Sequence, residues 1–279
     1  MKCSERKDKK MIKDFGSFFK DLYTNRKLLI QFSLNDFKAK YAGSMFGIFW
    51  AFINPIVTVI TYWLVFDVGL KSPMTDGTYP FITYLLTGMV PWFFFSDVLT
   101  SGTNALREYS YLVKKVVFNI KILPTAKLLS NLYTHLFFIA VAVVVCVING
   151  IYPTFKTFEL IYYLFCMIMF LTGLTWITSA IQPFFADITQ FIAMIMQILM
   201  WASPVLWSPN QFPDKVQFFF KLNPLYYVIT GYRSAFFSEP TWFFDRPVLS
   251  LYFWAITIIM LVLGSGMFNK LKPHFSDVL

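Results

Sequence analysis

Long apolar runs alternate with short polar breaks from Gly43 onward. Gly43–Phe66 carries no charge for 24 residues, about 36 Å as a helix and enough to cross the hydrocarbon core of a bilayer. Further runs at 79–103, 128–152, 160–186, 188–207 and 247–269 bring the predicted spans to six. Tyr79, Tyr152, Trp207 and Trp242 stand at run ends, as interfacial belts require. In the first run Gly43 and Gly47 form a small-xxx-small pair that predicts close helix approach. Pro55 predicts a kink or widened turn there. Asp97, near the cytoplasmic end of the second run, is expected to pair with a neighbouring Lys or Arg.

Three segments break this pattern. Met11–Tyr41 has helical periodicity, with Phe15, Phe18, Phe19 and Leu22 on one face and Ile30, Leu34, Phe37 and Tyr41 on another. That predicts a helix lying in the membrane interface, aromatic side down and lysines toward headgroups. The stretch from Gly88 to Pro124 starts as a span and turns polar at Asn104. Leu106, Tyr109 and Leu112 or Val113 recur at helical spacing among Arg107, Glu108, Lys114, Lys115 and Lys121. A short helix with an apolar stripe and a charged rim is expected, of a kind that can receive a push from another protein. Finally, Pro209 and Pro213 interrupt 208–246, and Leu222–Tyr232 is an apolar run of only eleven. Two short helices dipping back from the outer face, as a gate or cap, are expected there.

Composition places the chain in a membrane. Of 279 residues 57% are hydrophobic and 14% charged, where soluble domains run near a quarter charged. The net charge of +9 suggests nucleic acid until its distribution is read. Residues 1–40 contribute +6 and residues 104–130 contribute +4, so the basic residues sit in alternate loops. That is the positive-inside pattern. With the N-terminus inside, the inner segments hold eighteen Lys/Arg against six outside, which predicts both termini cytoplasmic. No secretory signal peptide is visible, because the first long apolar run begins only at Gly43.

Candidate chemistry is sparse. Cys3, Cys146 and Cys166 are scattered and read as small hydrophobes, and no metal-ligand spacing occurs. His135, near the start of the third run, is expected to be a hydrogen-bonded interfacial residue. No G-x-x-x-x-G-K-[ST] phosphate loop is present, so the chain cannot be its own nucleotide-driven engine. Neither a filter-like glycine motif nor paired catalytic carboxylates stand out, which disfavours a channel and an enzyme.

Several short motifs carry a family resemblance. Lys40-Tyr41-Ala42-Gly43-Ser44 through Gly47, Trp50 and Asn54-Pro55 resembles the start of the first span in ABC-2 type polysaccharide exporters. Gly88 to Trp92, Lys114-Lys115 to Phe118, and Leu123-Pro124 resemble that family's second span and cytoplasmic loop. Ser203-Pro204, Leu222-Asn223-Pro224-Leu225 and Tyr232-Arg233 resemble its outer re-entrant segment. The chain departs from the pattern at Lys40, where Arg is common, and at Phe118-Asn119, where Phe-Pro is common.

The resemblance implies an all-α integral membrane permease. Residues 1–42 would form the tail and interfacial helix, 43–270 one membrane domain, and 271–279 a cytoplasmic C-terminal tail. The segment 104–115 would be the coupling helix that docks on a separate ABC ATPase. Leu106, Tyr109 and Leu112 would anchor it, with Arg107, Glu108, Lys114 and Lys115 around them. ATP and Mg would belong to two ATPase subunits, with no cofactor on this chain, and two copies of the chain would enclose one path. Arg26, Lys38 and Lys40 would hold the pyrophosphate of a polyprenyl-linked glycan, or serve only to anchor the helix on anionic lipid. Phe46, Trp50, Trp63 and Trp92 are the candidate conduit aromatics, against a plain packing role for each. The re-entrant segment 208–236 and its neighbours would form the outer gate, with Pro204, Trp207, Asn223, Pro224, Tyr232 and Arg233 as its residues. An exporter of a small drug or lipid is the nearest alternative, and a membrane transferase on polyprenyl-linked sugars a more distant one.

Overall fold

A computed structural model describes residues 16, 21–71, 77–114 and 119–279. Phe15, Phe18, Phe19, Lys115 and Phe118 lie outside the described residues. The elements, in order, are α1 (Arg26–Lys40), α2 (Trp50–Trp63), α3 (Phe81–Thr103), α4 (Ala105–Glu108), α5 (Ser110–Val113) and α6 (Ile122–Ile148). They continue with α7 (Glu159–Ile181), α8 (Ile188–Ala202), α9 (Asp214–Lys221), α10 (Pro224–Phe236), α11 (Pro247–Leu271) and α12 (Phe275–Val278). No strand occurs among the described residues.

Five helical segments are long and apolar enough to cross a membrane: Gly47–Gly69, Phe81–Thr103, Ile122–Ile148, Phe155–Ile181 and Pro247–Val278. The run at 188–207, expected as a full span, contains only the 15-residue α8. Ser203 is extended, and the chain from Ser203 to Ser208 is buried irregular backbone. At about 22 Å, α8 falls short of a hydrocarbon core.

α3 is the central column. Its spanning window is 78% buried, against 11% for the first span. It packs on α6, α7 and α10, and α7 packs on α11. The α7–α11 contact is backbone-close, because a Cβ on Gly173 would meet Leu261 N at 2.8 Å and one on Gly264 would meet Gly173 O at 2.7 Å. Small residues permit that approach between membrane helices. The expected glycine pair does not do this. Gly43 and Gly47 have φ of +85° and +51° and nothing within 4 Å of an added Cβ. They turn the chain between α1 and α2, a backbone conformation that only glycine adopts without strain. α2 passes through Pro55, and the widened turns fall further on, in a π-helix at Leu64–Gly69.

Two other expectations change. Residues 271–279 do not form a free tail: a 3₁₀ turn at Lys272–His274 joins α11 to α12, and Phe275 is fully buried against Phe268 and Phe184. His135 is not interfacial but midway along α6, buried, stacked on Phe94 at 4.4 Å and sharing a 2.9 Å hydrogen bond with Tyr232.

Candidate functional site

The polar break after α3 folds as a crook of two single-turn helices, α4 and α5, hinged at Tyr109 (φ −107°, ψ 32°). The expected apolar stripe is there, but it points inward. Leu106 is 0% exposed and packs with Ala105, Val113, Ile120, Leu123, Trp176 and Phe275. Tyr109 and Leu112 are half-buried against the same cluster. Leu106 therefore cannot anchor a partner, and Tyr109 and Leu112 serve the protein's own core. Burying a side chain of Leu106's size stabilises by about 1.5–3 kcal/mol, which the fold takes before any partner arrives. Arg107, Glu108, Tyr111 and Lys114 are the exposed groups of the crook.

Behind the crook lies a charged junction that periodicity alone could not reveal. Tyr109 donates its hydroxyl hydrogen to Asp36 Oδ1 at 2.5 Å. Lys127 Nζ sits 2.7 Å from the same carboxylate oxygen, pairs with Glu108, and lies 5.1 Å from the Tyr109 ring centroid. Asp36 and Lys127 are both buried, so each requires the other. The junction ties α1, the crook and α6 together. Burial and then the bond to Asp36 push the Tyr109 phenol above its ordinary value, which keeps it a donor. A cleft of about 260 Å³ opens beside it. There Lys40 Nζ donates to Asn131 Oδ1 at 3.3 Å, and Asn131 Nδ2 donates to Ser101 Oγ at 2.9 Å.

The structure does not gather the three basic candidates for an anion site. Arg26 is about 21 Å from Lys40 along α1 and folds over the Tyr23 ring, 4.7 Å from its centroid. Lys38 and Lys40 are two residues apart on a helix and so point to opposing sides. α1 turns its polar positions Ser33 and Asp36 toward α6 and leaves Ile30 and Leu34 exposed. Asp97 makes no ion pair among the described residues, so the expected Lys or Arg partner is not found there.

The conduit aromatics separate as well. Phe46 and Trp50 form an exposed edge-to-face pair, 5.7 Å between centroids, where α2 begins. Trp63 lies about 20 Å along that helix and donates to Asp67 at 2.8 Å. Trp92 is buried, and it lines a groove of about 580 Å³ with Tyr62, Met196, Gln197 and Trp201.

The outer-gate candidates, by contrast, converge. α8 stops at Ala202, so the carbonyls of Pro204 and Val205 have no helical partners. Arg233, 4% exposed, reaches them from α10: Nη1 donates to Pro204 O, and Nη2 to Val205 O at 2.5 Å and Tyr84 O at 3.3 Å. Its guanidinium lies 3.6 Å from the centroid of the Tyr84 ring. Tyr84 in turn donates to Trp207 O at 3.0 Å. Asn223 caps α10 by accepting from Leu225 N at 3.0 Å, with Pro224 in the first turn, where a missing N–H costs nothing. Asn223 Nδ2 also donates to Ser203 Oγ at 2.8 Å, and Tyr232 is the hydroxyl that meets His135. Pro204, Trp207 and Arg233 are buried together beside Tyr84 and Gly88 in the first two turns of α3, Asn223 and Pro224 join them half-buried through Ser203, and Tyr232 sits deeper, at His135.

Comparison with known proteins agrees with this architecture. The chain is 26% identical over 262 residues to the O-antigen export system permease protein RfbA of Myxococcus xanthus, covering 92% of this chain and 97% of that protein. A second RfbA, from Klebsiella pneumoniae, is 26% identical over 253 residues, with coverage of 90% and 95%. The polysialic acid transport protein KpsM of Escherichia coli is 19% identical over 237 residues, with coverage of 85% and 90%. Residues 28–237 match the model of the ABC-2 type transporter family, a range that begins in α1 and takes in the crook and the Arg233 assembly. The chain belongs to the ABC-2 type transporter family.

Proposed function

We propose that this chain is the permease subunit of an ATP-driven exporter that moves a lipid-linked polysaccharide outward across the bacterial cytoplasmic membrane. The observation that carries this reading is near full-length likeness to proteins named for O-antigen export and polysialic acid transport. An ABC ATPase partner follows from membership of the family. Two ATPase subunits bind beneath two copies of the chain, supplying ATP and Mg. The thinly covered first span offers a face for the second copy, and a twofold pair is the simplest closed arrangement. N- and C-termini face the cytoplasm in this reading, which the distribution of Lys and Arg supports.

In this reading the ATPase grips the exposed rim of the crook, and the Asp36–Lys127–Glu108 junction passes its movement to α1 and α6. Co-expression with an ABC ATPase, followed by affinity capture and detection of polymer at the cell surface, tests the reading. Polymer that reaches the surface equally well without this chain would falsify it, and export of a small drug or lipid alone would favour the nearest alternative. Tyr111→Ala with Arg107→Glu should cut ATPase capture about tenfold or more while leaving membrane insertion intact. Unchanged capture would place the docking surface elsewhere. A cysteine replacing Asn210 should react with an impermeant reagent from outside only, and labelling from the cytoplasm would reverse the orientation.

A further inference from the structure

At the end of α3 remote from the crook, a cavity of about 500 Å³ lies between the start of α3, the α8–α9 connection, α10 and the start of α11. Its size falls in the ~300–1,000 Å³ range of small-molecule sites. One wall carries an aromatic stack, with the half-buried Tyr79 ring against the buried Phe237 ring at 3.9 Å and 19°, so that Tyr79 is the platform open to an occupant. Opposite stands Gln217, held by donation from Nε2 to Phe212 O at 2.9 Å, beside Lys221. Lys221 forms no ion pair among the described residues. Arg246 also lines the cavity; its Nη2 donates to Thr241 Oγ1 at 3.0 Å and is 3.9 Å from Glu239, the second contact loose enough to open to a ligand.

The mixture selects its occupant. An apolar ligand would strip water from Lys221, Glu239 and Arg246 without compensation. A bare inorganic ion would have no use for the stacked rings. A sugar ring presents an apolar C–H face to an aromatic platform and hydroxyls to amide and charged groups. Three cations, Lys221, Arg246 and the carbonyl-bound Arg233, against the one carboxylate of Glu239 then favour a ring that also carries an anion. We infer that this cavity binds one or two sugar units bearing a carboxylate or phosphate. The inference rests on the export reading, deepening it by placing a glycan-binding site at the exit end. Tyr84 and Arg233 belong to its wall, so an occupant would press directly on the assembly that holds the outer segment together.

The test is calorimetric titration of the purified full chain in nanodiscs, without ATP or partner. The probes are digalacturonate, its neutral counterpart galactobiose, and glycerol 3-phosphate. Digalacturonate should bind saturably and more tightly than galactobiose. Lys221→Gln should weaken digalacturonate about tenfold and leave galactobiose unchanged, and Tyr79→Ala should weaken both, with thermal unfolding of both variants matching the parent. Absence of saturable binding by either disaccharide overturns the assignment, as does binding indifferent to both substitutions. Glycerol 3-phosphate binding as tightly as digalacturonate, unaffected by Tyr79→Ala, would make the cavity a plain anion site and overturn the saccharide assignment. A chain that exports polymer yet fails this titration loses the cavity site alone. One that binds digalacturonate as described but moves no polysaccharide keeps the site and loses the export reading.

Discussion

Lys127→Met should lower the stability of the purified chain by about 3–5 kcal/mol, because it leaves a buried carboxylate without its cation. Asp36 is 5% exposed and would keep the Tyr109 hydroxyl as its donor, with the Glu108 carboxylate in the same cleft. Thermal unfolding in detergent measures the loss. The double variant Asp36→Asn, Lys127→Met should recover much of it, since no buried charge is then left uncompensated and Glu108, which also loses Lys127, is exposed. Captured ATPase should stay bound to the double variant, because the exposed rim is untouched, while polymer export falls. A double variant no more stable than Lys127→Met alone would show that the two residues do not act as a pair. One that exports normally would show that motion reaches α1 and α6 by another route.

Arg233→Met should cost about as much, by a different mechanism. Two backbone carbonyls, of Pro204 and Val205, lose their donor in a buried place, at about 1–3 kcal/mol for each group left unsatisfied, while Tyr84 O keeps the Thr87 hydroxyl as a donor. Arg233→Lys should rescue little, since an ammonium is a point donor and cannot span carbonyls on two elements as a planar guanidinium does. Gly88→Ala offers an independent check that leaves the charge in place. Its Cβ would meet Arg233 Nη2 at 2.4 Å and Val205 O at 2.6 Å, and the second of these is backbone that cannot swing aside. Both changes should raise protease cleavage between Ser203 and Asn223. If Arg233→Met and Gly88→Ala unfold at the parent temperature, the assembly does not hold the outer segment in place.

How far the sequence could be read differs from element to element, for physical reasons. Apolar runs in the chain mark α3, α7 and α11 nearly to their ends, since a bilayer demands one continuous stretch of apolar helix. The start of α6 is misplaced because Lys127, by itself a sign of polar loop, is drawn into the helix by Asp36 and Glu108. The broken outer segment was legible from Pro209, Pro213 and the short run after Leu222, and its two helices are α9 and α10. The residues named for the gate do converge, while those named for an anion site and a conduit do not. Tyr111, Asp36 and Lys127 went unremarked, although a buried acid could have been sought wherever a helix expected at the interface carries one among apolar neighbours.

By itself, the sequence determined that the chain lives in a membrane, where its polar breaks fall, which residues of the crook are apolar, and which short motifs align with a family. Those properties depend on composition and local order, and they survive without any knowledge of neighbours. Only the tertiary structure decided what each apolar or charged face meets. Leu106 turned out to be core and not a docking anchor, Gly43 and Gly47 turns and not helix contacts, and residues 271–279 a helical end held by the buried Phe275 and not a free tail. Helical periodicity gives the direction in which a side chain leaves its own helix. The partner on the other side, whether Trp176, Lys127 or a backbone carbonyl, comes from segments tens of residues away.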